Sequence, residues 1–371
     1  MNQNPIGLAR AIPPRVPGFA EALKETWQDL AGKEDGADPL FRAHRYGGTD
    51  EDHAAGLSWI GTRVSPAPDP DKVTVTNGTM NSILLLSTSL VGQGNVLLTE
   101  ELTFPLVHTL AEMVGVRVGG VRIDAAGMIP EDFEKKCRDL KAKAVYVNCT
   151  VHSPTAYVTP EERRREIAAI ARRHGVQILE DDAQALYLDN APASFATIAP
   201  EITWYMLGFS KYLSSGIRMS YVVAPSMRAL DLFLERFRPI TTWHPAPIIA
   251  AMVTRWIETG RAHQLLDQVR AEVRRRQAIA SEVLSGIDGY RGSSALHFWL
   301  PAPPGVESTA FSRAIGEAGV TVRPSRLYAG GLEPRVQGIR PAVGEPASAM
   351  EARRALGVLR EVYDRLDRHH A

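Results

Sequence analysis

The segment GFSKYLSSGIRMS (208–220) sets a lysine between two strand-like stretches, with Ser210 beside it and Arg218 downstream. A loop lysine is ordinarily solvated. Here Ser210 and Arg218 flank Lys211 at a spacing suited to gripping an anion beside an imine, and an imine-forming lysine must be held, partly desolvated, near a carbonyl carbon. A second stretch, ILEDDAQALY (178–187), ends an apolar strand in carboxylates. Acids at such a place are costly unless paired or functional, and in an open α/β sheet the C-terminal strand ends line the ligand crevice. A carboxylate there can keep a pyridine nitrogen protonated and so make the ring an electron sink. The plainer alternative is that Asp181 or Asp182 caps the next turn. A third stretch, TVTNGTMNS (74–82), reads as strand, glycine and helix start. Backbone N–H groups at a helix N-terminus bind phosphate without any special side chain, although Gly78 equally suits a plain turn.

The elements that must position these residues alternate along the chain. KVTVT (72–76), NVLLT (95–99), VRVGGVRI (116–123), AVYVNC (144–149), VQILEDD (176–182), TWYML (203–207) and MSYVVAP (219–225) read as strands. Helices are expected between them, at 78–90, at 104–114 and up to His174, where Gly175 stops the helix. For that last helix Thr159 is the expected N-cap, with Pro160 in the first turn and Glu162 completing a capping box. Strands that are mostly apolar on both faces argue a parallel sheet covered on both sides. An N-terminal Pro-rich arm leads to a helix at 18–30. Beyond Pro225 helical periodicity dominates at 246–258 and 261–284, with strands at ALHFWL (295–300) and VTVRP (320–324) and a closing helix at 347–369.

A chain of 371 residues suits a large and a smaller domain. The expected division is an N-terminal arm belonging partly to the small domain (1–45), a large α/β domain (46–245), and an interdomain helix with a small α+β domain (246–371). Lys plus Arg and Asp plus Glu both number 42, so the balanced charge gives no reason to expect nucleic acid or a membrane surface. The N-terminus has no apolar core after a basic start, and no run is long enough to span a bilayer. Cys137 and Cys149 form neither a C-x-x-C nor a metal-ligand spacing. A reducing cytoplasm is the natural setting.

Taken together, these motifs resemble the fold-type-I pyridoxal-phosphate (PLP) enzymes, the aspartate aminotransferase superfamily, near the aminotransferase-like domain of MocR regulators. The resemblance runs from about Tyr46 to the last helix. It implies PLP held as a Schiff base on Lys211, with Asp181 on the pyridine nitrogen. It places Gly78, Thr79, Ser210 and Arg218 on the phosphate and Phe104, in ELTFPL, against the cofactor ring. Tyr46, in RYGG, resembles the tyrosine that reaches the neighbouring subunit's phosphate, which implies a homodimer. Arg340, in GIRPAVG, resembles the clamp for the substrate α-carboxylate, a role suited to a planar bidentate fork. The implied activity is amino transfer between an α-amino acid and a 2-oxo acid. The alternatives are a PLP-dependent lyase, cyclase or decarboxylase, and a non-catalytic sensor, against which stand the zero net charge and the lack of a winged-helix segment before the domain.

The sequence departs from the family pattern at Ser153-Pro154-Thr155-Ala156, where Asn-Pro-Thr-Gly is usual, and at Gln184, where a tyrosine is usual. Both positions, Ser153 and Gln184, would face the cofactor's phenolic oxygen, with His152 able to swing in as a substitute donor. Gly208 stands where a phosphate-binding serine is common, and Trp243 and His244 occupy a loop that is usually small and polar. Arg323 and Arg326 bracket the stretch beside the site entrance. They either favour an anionic or polar substrate side chain or are surface charges.

Overall fold

The computed structural model describes residues 5–32, 36–42, 44–240 and 243–370, with side chains to 368. After a short β1 (Ile6–Gly7), seven strands build the main sheet. They are β2 (Val73–Thr76), β3 (Val96–Glu100), β4 (Arg117–Val121), β5 (Ala144–Val147), β6 (Gln177–Asp181), β7 (Thr203–Gly208) and β8 (Ser220–Val223). Their order is β2-β8-β7-β6-β5-β3-β4. The run β7-β6-β5-β3-β4 is parallel, as the two-sided apolar strands require. β8 is the exception and runs antiparallel to both β2 and β7. The segment from β7 to β8 holds no helix that could make a crossover, so the chain turns straight back.

Helices α1 (Pro17–Ala31), α2 (Thr79–Leu86), α3 (Pro105–Met113) and α4 (Glu161–His174) lie close to their expected places. α4 stops at Gly175, whose φ of +63° is left-handed. The capping box expected at its start does not form. The cap position is Pro160, with no side-chain cap bond. Thr159 instead donates its N–H to the Cys149 carbonyl and accepts from Arg164 Nε at 2.9 Å, so it belongs to the loop's own hydrogen bonding.

Strand alternation divides the core. Ala144, Tyr146 and Leu179 pack with Ile83, Leu86 and Val107 on one face. Val145, Val147 and Ile178 pack with Ile167, Ile170 and Ala171 of α4 on the other. Past residue 246, α5 (Pro247–Glu258) and the long α6 (Arg261–Val283) lead to a three-stranded antiparallel sheet. Its strands are β9 (Leu300–Pro301), β11 (Arg323–Pro324) and β12 (Gly338–Arg340), in the order β9-β12-β11. β10 (Val320–Thr321) pairs in parallel with β1, so the N-terminal arm is stitched onto this C-terminal part. The expected strand at 320–324 is thus split in two. That at 295–300 is reduced to β9 and isolated bridges, Arg291 to Trp299 and His297 to Ala342. α7 (Ser308–Glu317) and α8 (Ala349–His370) complete this part. No helix among the described residues is long and apolar enough to cross a membrane.

Candidate active site

The C-terminal ends of the parallel strands converge on a cavity of about 270 Å³. The loop between β7 and β8 brings Ser210, Lys211 and Arg218, and the end of β6 brings Asp181 and Gln184. The start of α2 brings Gly78 and Thr79, and the segment after β3 brings Phe104. Ser153 follows β5, and Arg340 reaches in from β12. Ten of the sequence-derived site residues therefore share one cavity wall. Tyr46 does not: it lies outside, 47% exposed, against His244 with ring centroids 5.0 Å apart. A larger groove of about 780 Å³ lies at β4, but its wall carries both charge signs, among them Glu101, Glu112, Arg117, Arg122 and Lys136. It contains neither the lysine nor the strand-end acids.

Local backbone explains several of these placements. Gly78 caps α2 at φ +84°, a conformation open to glycine, and the first N–H groups of a helix have no partner within it. A Cβ on Gly208 would meet the Thr79 methyl at 3.0 Å, so a serine there would require that methyl to give way by a few tenths of an ångström. Ala156, where the family pattern has glycine, sits at φ +56°. A non-glycine residue in this left-handed region stores on the order of 1 kcal/mol of strain.

Charge in the cavity is lopsided. Arg10, Lys211, Arg218, Arg323 and Arg340 stand against Asp181 alone. Lys211 Nζ donates to the Ala11 carbonyl at 2.6 Å. Burial, with Arg340, Arg323 and Arg218 nearby, lowers its pKa to about 8. Asp181 Oδ2 accepts from the Tyr146 hydroxyl at 2.8 Å, while its buried Oδ1 has no hydrogen-bond partner. Burial pushes Asp181 up to about 6. Arg340 donates to the Tyr328 hydroxyl and to the Ala9 carbonyl, each at 2.5 Å.

Tyr146 and Asn148 also line the cavity and were not singled out from sequence. Asn148 Nδ2 donates to the Asp181 carbonyl at 2.7 Å, and its Oδ1 accepts from the Ser153 N–H at 3.2 Å. The amide of Gln184 is tied to the C-terminal part. Its Oε1 accepts from the Leu296 N–H, and its Nε2 lies 3.1 Å from His297 Nδ1. Burial keeps His297 neutral, so its Nδ1 accepts this bond and its Nε2 donates to the His152 carbonyl. The substitute role considered for His152 is corrected. It is buried outside the cavity wall, its Nδ1 bonded to Thr155 and its Nε2 to the Leu102 carbonyl. Arg326 pairs with Glu333 on the surface, whereas Arg323 enters the cavity. Trp243 is buried, its indole N–H on the Phe237 carbonyl.

Among known proteins, the profile described as Aminotransferase class I and II matches residues 38–336. The chain is 24% identical over 296 residues to the uncharacterized HTH-type transcriptional regulator YdeF of Bacillus subtilis, covering 80% of this chain and 64% of that protein. It spans from about half to under two thirds of the length of the regulators it matches. It is 24% identical to the 2-aminoadipate transaminase of Thermus thermophilus, covering 74% of this chain and 70% of the relative. The structure superposes on an archaeal alanine:glyoxylate aminotransferase with a TM-score of 0.87 at 21% identity, covering 98% of this chain and 92% of the other. That likeness establishes the fold.

Proposed function

The chain belongs to the class I and II aminotransferases, and from that premise we propose that it is a PLP-dependent aminotransferase acting on an α-amino acid and a 2-oxo acid. The observation that carries the reading is Asp181: a buried carboxylate in the cavity wall beside Lys211, with one oxygen free of any hydrogen bond. Such an atom is costly unless a ligand donates to it, and a protonated ring nitrogen is the donor that suits it. The remaining wall fits the same group. Gly78 and Thr79 at the start of α2, with Ser210 and Arg218, would take a phosphate. Phe104 would lie against the ring, and Ser153 and Gln184 would stand near its phenolic oxygen.

When bound, PLP supplies an electron sink that acidifies the α-C–H of an attached amino acid. The chain's own groups do the rest. Lys211 Nζ is the attachment amine. With its pKa at about 8, a usable fraction is unprotonated near neutral pH, so it can act as nucleophile and then carry the α-proton as base and acid. Arg340 orients the substrate by its α-carboxylate, as a guanidinium fork does. Asp181 would hold its negative charge against the ring nitrogen. Exposed Tyr46 suits a part in a neighbouring subunit's site, so the reading includes a C₂ homodimer. Cys137 and Cys149 are buried free thiols, in keeping with a reducing, cytoplasmic setting.

Borohydride reduction of the PLP-loaded protein should label the peptide containing Lys211, and Lys211→Ala should abolish both labelling and turnover. A label elsewhere overturns the assignment. In wild type, an amino donor should convert bound cofactor to its amine form. Ammonia release without that conversion would mean elimination. A second reading is favoured by the regulators among the relatives: a ligand-sensing domain. Binding of amino acids without turnover of any would select it.

A further inference from the structure

The chemistry assigned above accounts for most of the cavity's positive charge. On that reading Arg218 would face a phosphate and Arg340 an α-carboxylate. Lys211 would be the attachment amine for the cofactor. Arg10 is neutralised by Glu345, with Nε to Oε1 at 2.8 Å. Arg323 is left over. It lines the cavity and is half-buried, yet among the described residues it makes no ion pair and no side-chain hydrogen bond. Two acids that follow it in sequence are committed elsewhere, Glu333 to Arg326 and Glu345 to Arg10.

The sheet register makes this more pointed. Arg323 on β11 and Arg340 on β12 are direct cross-strand partners. Directly opposed side chains leave the sheet on the same face with Cβ atoms roughly 5 Å apart, and like charges in that relation destabilise a sheet. Both arginines therefore leave one face of the sheet and line the same cavity, and a ligand whose single carboxylate is held by Arg340 would leave Arg323 unmatched.

We infer that Arg323 is a specificity-determining residue that receives a second carboxylate, so that the site prefers dicarboxylic amino acids and their 2-oxo acids over those with neutral side chains. The inference rests on the aminotransferase reading for the role of Arg340, but its test does not need turnover. A planar guanidinium matches a carboxylate through two parallel N–H···O bonds, and a lysine at the same place offers only a point charge.

The probes are glutarate and pentanoate, unreactive acids of equal chain length that differ by one carboxylate, titrated calorimetrically into the PLP-loaded protein. Wild type should bind glutarate at least about tenfold more tightly, in line with one charge-assisted bond pair. Arg323→Gln should collapse that ratio toward one, and Arg323→Lys should leave an intermediate ratio. Arg326→Gln, which alters a surface ion pair, should leave it at the wild-type value. Two results overturn the inference: a wild-type ratio near one, or equal weakening of both acids by Arg323→Gln, which would mean that Arg323 only helps Arg340 hold a single carboxylate. Circular dichroism of each variant guards against misfolding. If no amino acid converts the cofactor while the glutarate preference persists and depends on Arg323, the aminotransferase reading fails and the second carboxylate site stands.

Discussion

Glu180, Asp181 and Asp182 follow one another at the end of β6, yet the two faces of the sheet treat them differently. On the face toward α4, Glu180 accepts from the N–H groups of Phe195 and Ala196, at 3.0 and 2.9 Å, and lies 3.7 Å from Arg164. Asp182 meets Arg63 Nε at 2.7 Å and the Tyr205 hydroxyl at 3.1 Å. On the cavity face Asp181 has the Tyr146 phenol and no cation at ion-pair distance among the described residues. Asp181 and Asp182 each keep one buried oxygen without a hydrogen bond, so what separates them is charge compensation. The difference teaches that a buried acid with its guanidinium is part of the framework, whereas a buried acid without one has a charge reserved for a ligand.

The contrast can be broken most sharply by Asp182→Asn. It leaves Arg63, 6% exposed, without its counter-charge and should cost about 3–5 kcal/mol in urea unfolding. Asp181→Asn at pH 7 should cost nothing or stabilise the cofactor-free protein. Equal losses would erase the distinction.

The next effect is in the pH dependence. Asp181 is raised from 3.8 to about 6, so the folded chain binds its proton more tightly than the unfolded chain. Its stabilising contribution is complete below pH 3.8 and is lost as pH rises through about 6. Unfolding free energies of cofactor-free wild type, minus those of Asp181→Asn, should fall by on the order of 3 kcal/mol across that window. A flat difference would show that Asp181 is not held in a desolvated, uncompensated state.

The smallest effect belongs to Tyr146→Phe. Removing the donor to Asp181 should cost about 1 kcal/mol. It should also move the Asp181-dependent fall to higher pH, because the phenol's hydrogen bond favours the carboxylate. A shift to lower pH would contradict the assigned direction of that bond.

Much of the cavity was legible in the sequence because strand ends in a parallel sheet are a local signal: Lys211, Asp181 and Gly78 each follow an apolar run. Tyr146 was hidden inside AVYV (144–147), which reads as an apolar strand. Its hydroxyl gains meaning only once β5 and β6 are known to be neighbours. The Arg323–Arg340 pair depends on the register of two strands separated by a loop, which no local pattern encodes. The carbonyls of Ala9 and Ala11 were out of reach altogether, since every residue carries one. The capping box at Thr159 was misread because a loop bridge claimed the threonine first.

Those two arm carbonyls have one more consequence. A peptide oxygen can occupy a donor on Arg340 or Lys211, but it carries no net charge. The arm thus occupies one donor on each cation and leaves their electrostatic field undiminished. The cavity mouth keeps an attractive potential for anions over a distance set by the ionic strength of the medium. An arriving carboxylate has only to exchange a neutral acceptor for itself. The arm acts as a dielectric placeholder, holding the two side chains in position without acting as a counter-ion.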